Sequence, residues 1–381
     1  MNIFRFIFRI VSSTFFIITL GAFSMFSGSR SELDGDWINR FSDTKSFNQY
    51  SNTHNIELND AIIKGARIPS SKAINFKFTN VEFIDFGGKE SYWENGEFID
   101  SEFNDFSFYN AHLKNVTFKN SKFLDTHFSK AKLENVKFID CEITKSAFFN
   151  MRDSSVEFIN TRIFDNEYKF SESQIQMRLI DSDFRDTDMI SLKEGSSIFI
   201  KNSTIDNADF LKSKMDSFIL LNSKISNVGI GDAEINDMVL KDSHVNFSFA
   251  GSKVDSVTVE NSELTNLGVT NIINKTFNVS NCKGDSDLSF FEANLGDVEI
   301  ANCDFDELYF SYSTSNSISI DTSKISETDF TEATVNNFKF HNISLIKEAD
   351  FSDFKPEKST IRNITKASTL KLIMDGANIE F

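Results

Sequence analysis

Proline is almost missing from this chain, with two residues in 381, and cysteine and histidine are scarce at three and five. So little proline excludes the proline-punctuated loops of an enzyme assembled from varied elements. Cys141, Cys282 and Cys303 are odd in number and widely spaced, which fits neither a disulfide framework nor a zinc site with paired CxxC ligands. His54, His112, His127, His244 and His341 are scattered, and no HExxH, GxGxxG or GxxxxGK[ST] motif occurs. The acidic stretch Asp181 to Asp188 looks like a calcium loop but lacks the glycine and closing glutamate of an EF-hand. No catalytic, cofactor-binding or metal-ligating residue is therefore expected, and the chain reads as a non-enzyme. Basic residues are outnumbered 39 to 56, for a net charge of −17. A surface of that sign repels phosphates, which excludes direct nucleic-acid binding and favours a basic partner or mimicry of DNA.

What the chain does have is phenylalanine, 43 residues of it, with enough apolar material to exclude disorder and collagen. A short cationic leader, MNIFRFIFR, precedes the uncharged run Ile10 to Phe26, which as a helix would span about 25 Å against a bilayer core of about 30 Å. Arg5 and Arg9 before the run, against Glu32, Asp34 and Asp36 after it, place the amino terminus inside and the body outside the cytoplasm. Residues 1–29 are thus expected to be a signal peptide or an uncleaved helical anchor, with the body in the cell envelope. Small residues at Ala22 and Ser24, or at Ser27 and Ser29, would serve a cleaved alternative, secreted or periplasmic.

Behind the leader an apolar residue recurs every fifth position: Phe98, Phe103, Phe108, Leu113, Phe118, Phe123, Phe128, Leu133, Phe138, Ile143 and Phe148. The same register runs from Leu58 to Tyr168 with only Gly88 and Asp153 out of pattern, and the five-residue period resumes in a shifted register from Ile205 to Val245 and from Phe290 to Leu345, with Ser315 its one polar slot. Small residues stand two places earlier, and Asn or Asp commonly two places later. Five matches neither a helix nor a strand, but it suits a square coil in which each pentad forms one side and four sides advance one strand spacing. Shifts of register near 169–178, 200–204, 246–248 and 285–289 read as bulges or small loops at corners.

Ala131-Lys132-Leu133-Glu134-Asn135, Ala208-Asp209-Phe210-Leu211-Lys212 and Ala293-Asn294-Leu295-Gly296-Asp297 carry a pattern that resembles the pentapeptide repeat family. The resemblance implies an all-β, right-handed quadrilateral β-helix, here behind an N-terminal hydrophobic helix. Residues 30–55 are expected to form a linker or cap, 56–351 the solenoid, and 352–381 a C-terminal cap with a short helix over 363–374. The resemblance also implies two roles: a rigid acidic scaffold for protein partners, or a DNA mimic that binds and protects gyrase. Some relatives dimerise, so a homodimer through the C-terminal end is a further expectation. Departures from the repeat are the candidate contact points. Tyr92 and Trp93 lie in one such stretch, although Trp93 also falls in the slot that would turn it inward. Phe149, Phe164, Phe170 and Phe291 stand outside the inward slots and are candidates for a second patch.

Overall fold

A computed structural model describes residues 29–33, 35–165, 172–284, 288–377 and 379. The expected leader and its hydrophobic helix lie outside these residues, as does Phe170. The described chain is a four-sided parallel β-solenoid. One inward column can be followed from Ile63 through Phe83, Phe103, Phe123, Ile143, Ile163, Phe184, Ile205, Ile225, Val245, Leu264, Gly284, Phe305, Ile325 and Leu345 to Lys366, each paired in parallel with the next. That gives about 15 coils and, at roughly 4.8 Å per coil, a rod about 70 Å long.

Two residues of each pentad are buried. Every member of the ladder from Phe98 to Phe148 is at most 1% exposed. The small residue two places earlier is buried beside it, as at Ser91, Ser101, Ala111, Val116, Ser121 and Ala131. Stacking identical rings one coil apart gives the phenylalanines offset contact on both faces. Phe78, Phe98, Phe118, Phe138 and Phe158 form one such column, with centroids 5.2, 4.9, 4.9 and 5.0 Å apart and planes within 16°. Phe290, Phe310, Phe330 and Phe351 form another near the far end.

The corners explain the Asn and Asp. From Asp60 to Asn150 the backbone enters the left-handed region at every fifth residue, with φ near +50°. That conformation costs an ordinary L-residue about 1–2 kcal/mol, and Asn and Asp tolerate it best after glycine. One corner keeps to this rule along nearly the whole rod: Asp60, Asn80, Asp100, Asn120, Asp140, Asn160, Asp181, Asn202 and Asn222 all have positive φ. Their side chains bond upward as well, Asn120 Nδ2 to Asp100 Oδ1 at 2.6 Å, Asn160 to Asp140 at 2.7 Å and Asn202 to Asp181 at 3.0 Å. Carboxylates stacked at coil spacing would repel, and alternation with amides turns each neighbour into a donor.

The next residue along, Ser, Thr or Cys, builds a second column inside that corner. The amide of Ser101 donates to Ser121 Oγ, Cys141 to Thr161 Oγ1, Ser182 to Ser203 Oγ, Ser203 to Ser223 Oγ and Cys303 to Ser323 Oγ. All three cysteines are free and buried in this column. Burial pushes the Cys141 thiol up to about 12.

Coil length is not constant. Pairing advances by 20 residues from Phe138 to Phe158, by 21 from Phe158 to Leu179, by 19 from Ile235 to Val254 and by 21 from Leu267 to Leu288. The slip expected at 200–204 sits earlier, as a bulge between Ser196 and Ser197 next to Gly195 at φ +84°. At the first coil, helices Gly35–Arg40 and Thr44–Ser51 lie across the end, the second capped by Asp43, whose carboxylate accepts from the Ser46 amide at 2.8 Å. Phe47 packs 5.2 Å from Phe41 and 6.1 Å from Trp93, over a coil whose inward residue, Ala73, is small.

The short helix expected over 363–374 is not there. Thr365–Lys366 and Lys371–Ile373 are strands paired with Ser344–Leu345 and with Glu348–Asp350. The edge of the preceding coil offers free backbone groups, such as the Ile343 carbonyl that accepts from the Thr365 amide. A helix would have left them unpaired.

Replacing Asn120 by Ala is expected to cost about 1–2 kcal/mol, through the left-handed φ and the lost bond to Asp100. Lys130→Asn, at a corner where lysine holds φ +59°, is expected to stabilise the rod by up to about 1 kcal/mol. Urea unfolding of the two variants checks both signs.

Candidate interaction surfaces

The outward residues form columns too, and their spacing governs their charge. Glu94, Lys114 and Glu134 stand in consecutive coils, with Lys114 Nζ 3.3 Å from Glu94 and 4.0 Å from Glu134. Lys137, Glu157 and Arg178 repeat the alternation at 3.0 and 3.2 Å. Burial raises the Glu157 carboxyl, but the bonds and charges of Lys137 and Arg178 outweigh it and hold the group below its ordinary range. The hydrogen bond from Tyr92 does the same for Glu94, with help from Lys114. Each pair is solvated and worth little alone, about 0–1 kcal/mol.

Arg30 ties the amino-terminal strand Ser31–Glu32 to the rod. Its guanidinium donates to Asn80 Oδ1 at 2.9 Å, to Glu102 Oε1 at 3.2 Å and to the Asp100 carbonyl at 3.4 Å, with Glu82 at 3.5 Å. Ser31 and Glu32 pair in parallel with Ala61 and Ile62 of the first coil.

Tyr92 and Trp93 part company. Trp93 is fully buried, 5.1 Å from Phe76 and 5.6 Å from Phe98, and its Nε1 donates to Ser91 Oγ at 2.8 Å. It is corrected from a contact candidate to a core residue, because it occupies the fifth-residue slot and its one polar atom finds a partner inside. Tyr92 stays on the surface, its hydroxyl donating to Glu94 Oε2 at 2.8 Å and its ring edge-on to His112 at 5.1 Å. The glycine pair beside them makes no excursion, since Gly87 and Gly88 lie within the coil, paired to its neighbours.

One face departs from the alternating pattern. Its column of residues just before the inward slot reads Arg67, Gly87, Ser107, His127 and Ala147 in five successive coils. Beside it Lys89, Tyr109, Ser129 and Phe149 follow the inward slot, and Lys89 and Lys130 each place an ammonium 5.2 Å from the centre of the Tyr109 ring. From Ser107 and Lys89 to Ala147 and Phe149, with Lys130, they line an open groove of about 630 Å³. Phe149 is 38% exposed. Seven coils on, the same face presents Phe291 and Tyr312, 38% and 49% exposed, with rings 5.6 Å apart. Phe149 and Phe291 thus share a face without forming one patch, while Phe164 is half-buried on another side.

The corner bordering this face also breaks the Asn/Asp rule. Ser70, Glu90, Lys130, Ser191, Lys212, Glu292, Tyr312 and Glu332 hold positive φ there, interspersed with Asn110, Asn150, Asp232, Asn271 and Asp353. Such side chains carry a backbone cost that Asn would avoid, so this border is set by surface chemistry. The sequence reading missed the border, although its signal is legible once the coil length is known: one corner is Asn or Asp almost throughout, with Thr322 an exception, and the other is so at only a minority of its positions.

Among the described residues no group of His, Cys, Asp and Glu side chains is placed to hold a metal ion, and no helix is long and apolar enough to cross a membrane. Residues 91–170 match the family description "Pentapeptide repeat region". No curated protein matches. Among solved structures the chain is similar to HetL, a pentapeptide repeat protein involved in heterocyst differentiation regulation in the cyanobacterium Nostoc, at 9% identity over 60% of this chain and 93% of that one, with a TM-score of 0.29. QnrB1, a plasmid-mediated fluoroquinolone resistance protein, matches in full length at 15% identity over 66% and 93%, with a TM-score of 0.24. A mannuronic acid specific polysaccharide lyase from human gut microbiota matches at 10% over 84% and 86%, with a TM-score of 0.22. At such scores none of these likenesses bears on what the chain does.

Trp93→Ala is expected to cost about 3–5 kcal/mol and Tyr92→Ala less than about 1 kcal/mol, read as urea midpoints. The depressed carboxyls Asp43, Glu94, Glu157 and Asp321 give stability that is complete above the unfolded carboxylate range. It is lost as pH falls through their lower folded values. The midpoint should therefore stay level between about pH 5 and 8 and drop below about pH 4.

Proposed function

We propose that this pentapeptide repeat protein is a non-enzymatic, rigid acidic scaffold of the cell envelope, anchored or exported by its leader and engaging protein partners along its sides. The observation that carries the reading is the junction at Arg30. Only Ser27, Gly28 and Ser29 separate the apolar run from a guanidinium fastened to the second and third coils. A leader left in place would hold the rod close against the membrane surface with its first coil proximal, rather than on a long tether. The uninterrupted core supports a spacer role, since a stack of coils transmits position along its axis without a hinge.

The alternative, a DNA-mimicking gyrase binder, draws on the family resemblance, the net charge and the rod shape. The charge arrangement weighs against it. A duplex mimic needs long unbroken rows of negative charge, whereas columns such as Glu94, Lys114 and Glu134 or Asp100, Asn120, Asp140 and Asn160 alternate, and acidic runs such as Glu82 with Glu102 or Asp329 with Asp350 are short.

Membrane fractionation with alkaline extraction, together with protease accessibility of intact cells, tests the envelope reading. The rod is expected in the membrane or envelope fraction, open to protease from outside the cytoplasm. A protein found wholly in the cytosol would sink the reading, and inhibition of gyrase supercoiling by the purified chain would install the alternative.

A further inference from the structure

We propose that the face carrying Tyr109 binds the same face of a second copy, the two rods lying side by side and antiparallel. The inference rests on the scaffold reading above and names a partner for it. Along this face the column before the inward slot runs Arg67, Gly87, Ser107, His127 and Ala147, and, past residues 166–171, which lie outside those described, Asp188, Asp209, Gly229, Ser248, Gly268, Ser289, Tyr309, Asp329 and Asp350. Asp209 and its neighbour Leu211 lie at the midpoint, with as many coils before as after.

The face is polar along its length. Arg67, Lys89 and Lys130 against Glu90 make the first coils basic, while Glu292, Asp329, Glu332, Asp350 and Asp353 make the last ones acidic. Between them the surface is smooth, with Gly229, Gly231, Ser248, Ala250 and Gly268. An acidic peptide would satisfy only the first end. A copy of the chain run in the opposite direction satisfies both ends at once.

A two-fold axis across the rod at Leu211 pairs each coil with the one equally far beyond the midpoint. Lys130 then faces Glu292 and Arg67 faces Asp350, while Glu90 meets Glu332 and Asp209 and Lys212 meet their own copies, so the match is one of net charge between a basic and an acidic end. Bulk meets space in the same register: Phe149 lies opposite Thr270, Phe291 opposite Ser129, Ile190 opposite Gly231, and Leu211 opposite itself. Asp209, on the axis, has its Oδ1 engaged by the Gly229 amide at 3.1 Å. The contact is isologous, as a closed dimer requires. A face roughly 60 Å by 10 Å approaches the about 800 Å² per partner of a standard interface.

The test is the oligomeric state of the full chain, in detergent if membrane-bound, by light scattering and sedimentation. A dimer is expected that weakens with added salt. Lys130→Glu and Glu292→Lys should each weaken it by roughly tenfold or more, and the double exchange should restore it. Leu211→Cys should crosslink to itself under mild oxidation, and Leu124→Cys, on another face, should not. Unchanged unfolding midpoints separate these effects from misfolding. A monomer throughout would overturn the proposal while leaving the envelope reading intact. So would a dimer indifferent to Lys130 and Glu292 but lost on substitution of Ile361 in the last coil, which would assign the contact to the C-terminal end.

Discussion

Everything in this molecule follows from one constraint: each coil must return to the same place one strand spacing further along, so that its backbone amides meet the carbonyls of the coil before. Once that stack is imposed, every side chain has a like-placed neighbour about 4.8 Å away on each side. The choice of residue at any position is then a choice about what can be stacked. Phenylalanine stacks with offset contact, serine hands its hydroxyl to the amide below, and asparagine bonds to its copy or to aspartate. Like charges in consecutive coils repel, and several acidic columns alternate with lysine, arginine or amide, as at Glu94, Lys114 and Glu134.

The same constraint makes the rod stiff and its surfaces linear. A core of two buried residues per pentad puts the other three on faces and corners, among them the open groove beside Tyr109. Elsewhere ion-pair ladders such as Glu94–Lys114–Glu134 and Lys137–Glu157–Arg178 run along the coils. The Tyr109 face is different in three respects that arise separately: exposed aromatics, a bordering corner that accepts backbone cost for the sake of its side chains, and a change of charge sign from one end to the other. The net charge of −17 conceals that change because it sums over it.

The ends of the rod show where periodicity stops being informative. The first coil is closed by Phe41 and Phe47, which belong to no repeat. The last coil continues to about residue 374 although its inward slots contain Lys366 and its spacing stretches to 23 residues between Ala349 and Leu372. There the five-residue signal had faded, and local propensity suggested a helix. The unpaired edge of the preceding coil overrode that propensity, because an exposed row of amides and carbonyls is better met by another strand.

The sequence by itself determined the coil, its inward ladder from Phe98 to Phe148 and the positions of most register slips, because burial repeats every five residues and composition records it. It also held the charge order around the apolar run Ile10 to Phe26. Only the tertiary structure decided that Trp93 is core and Tyr92 is surface, that Arg30 is fastened to the second and third coils, and which outward residues share a face. Those depend on the coil length, which drifts between 19 and 21 residues as the chain climbs. A period of five fixes which residues point inward, but neighbours between coils are set by where each turn of the stack closes.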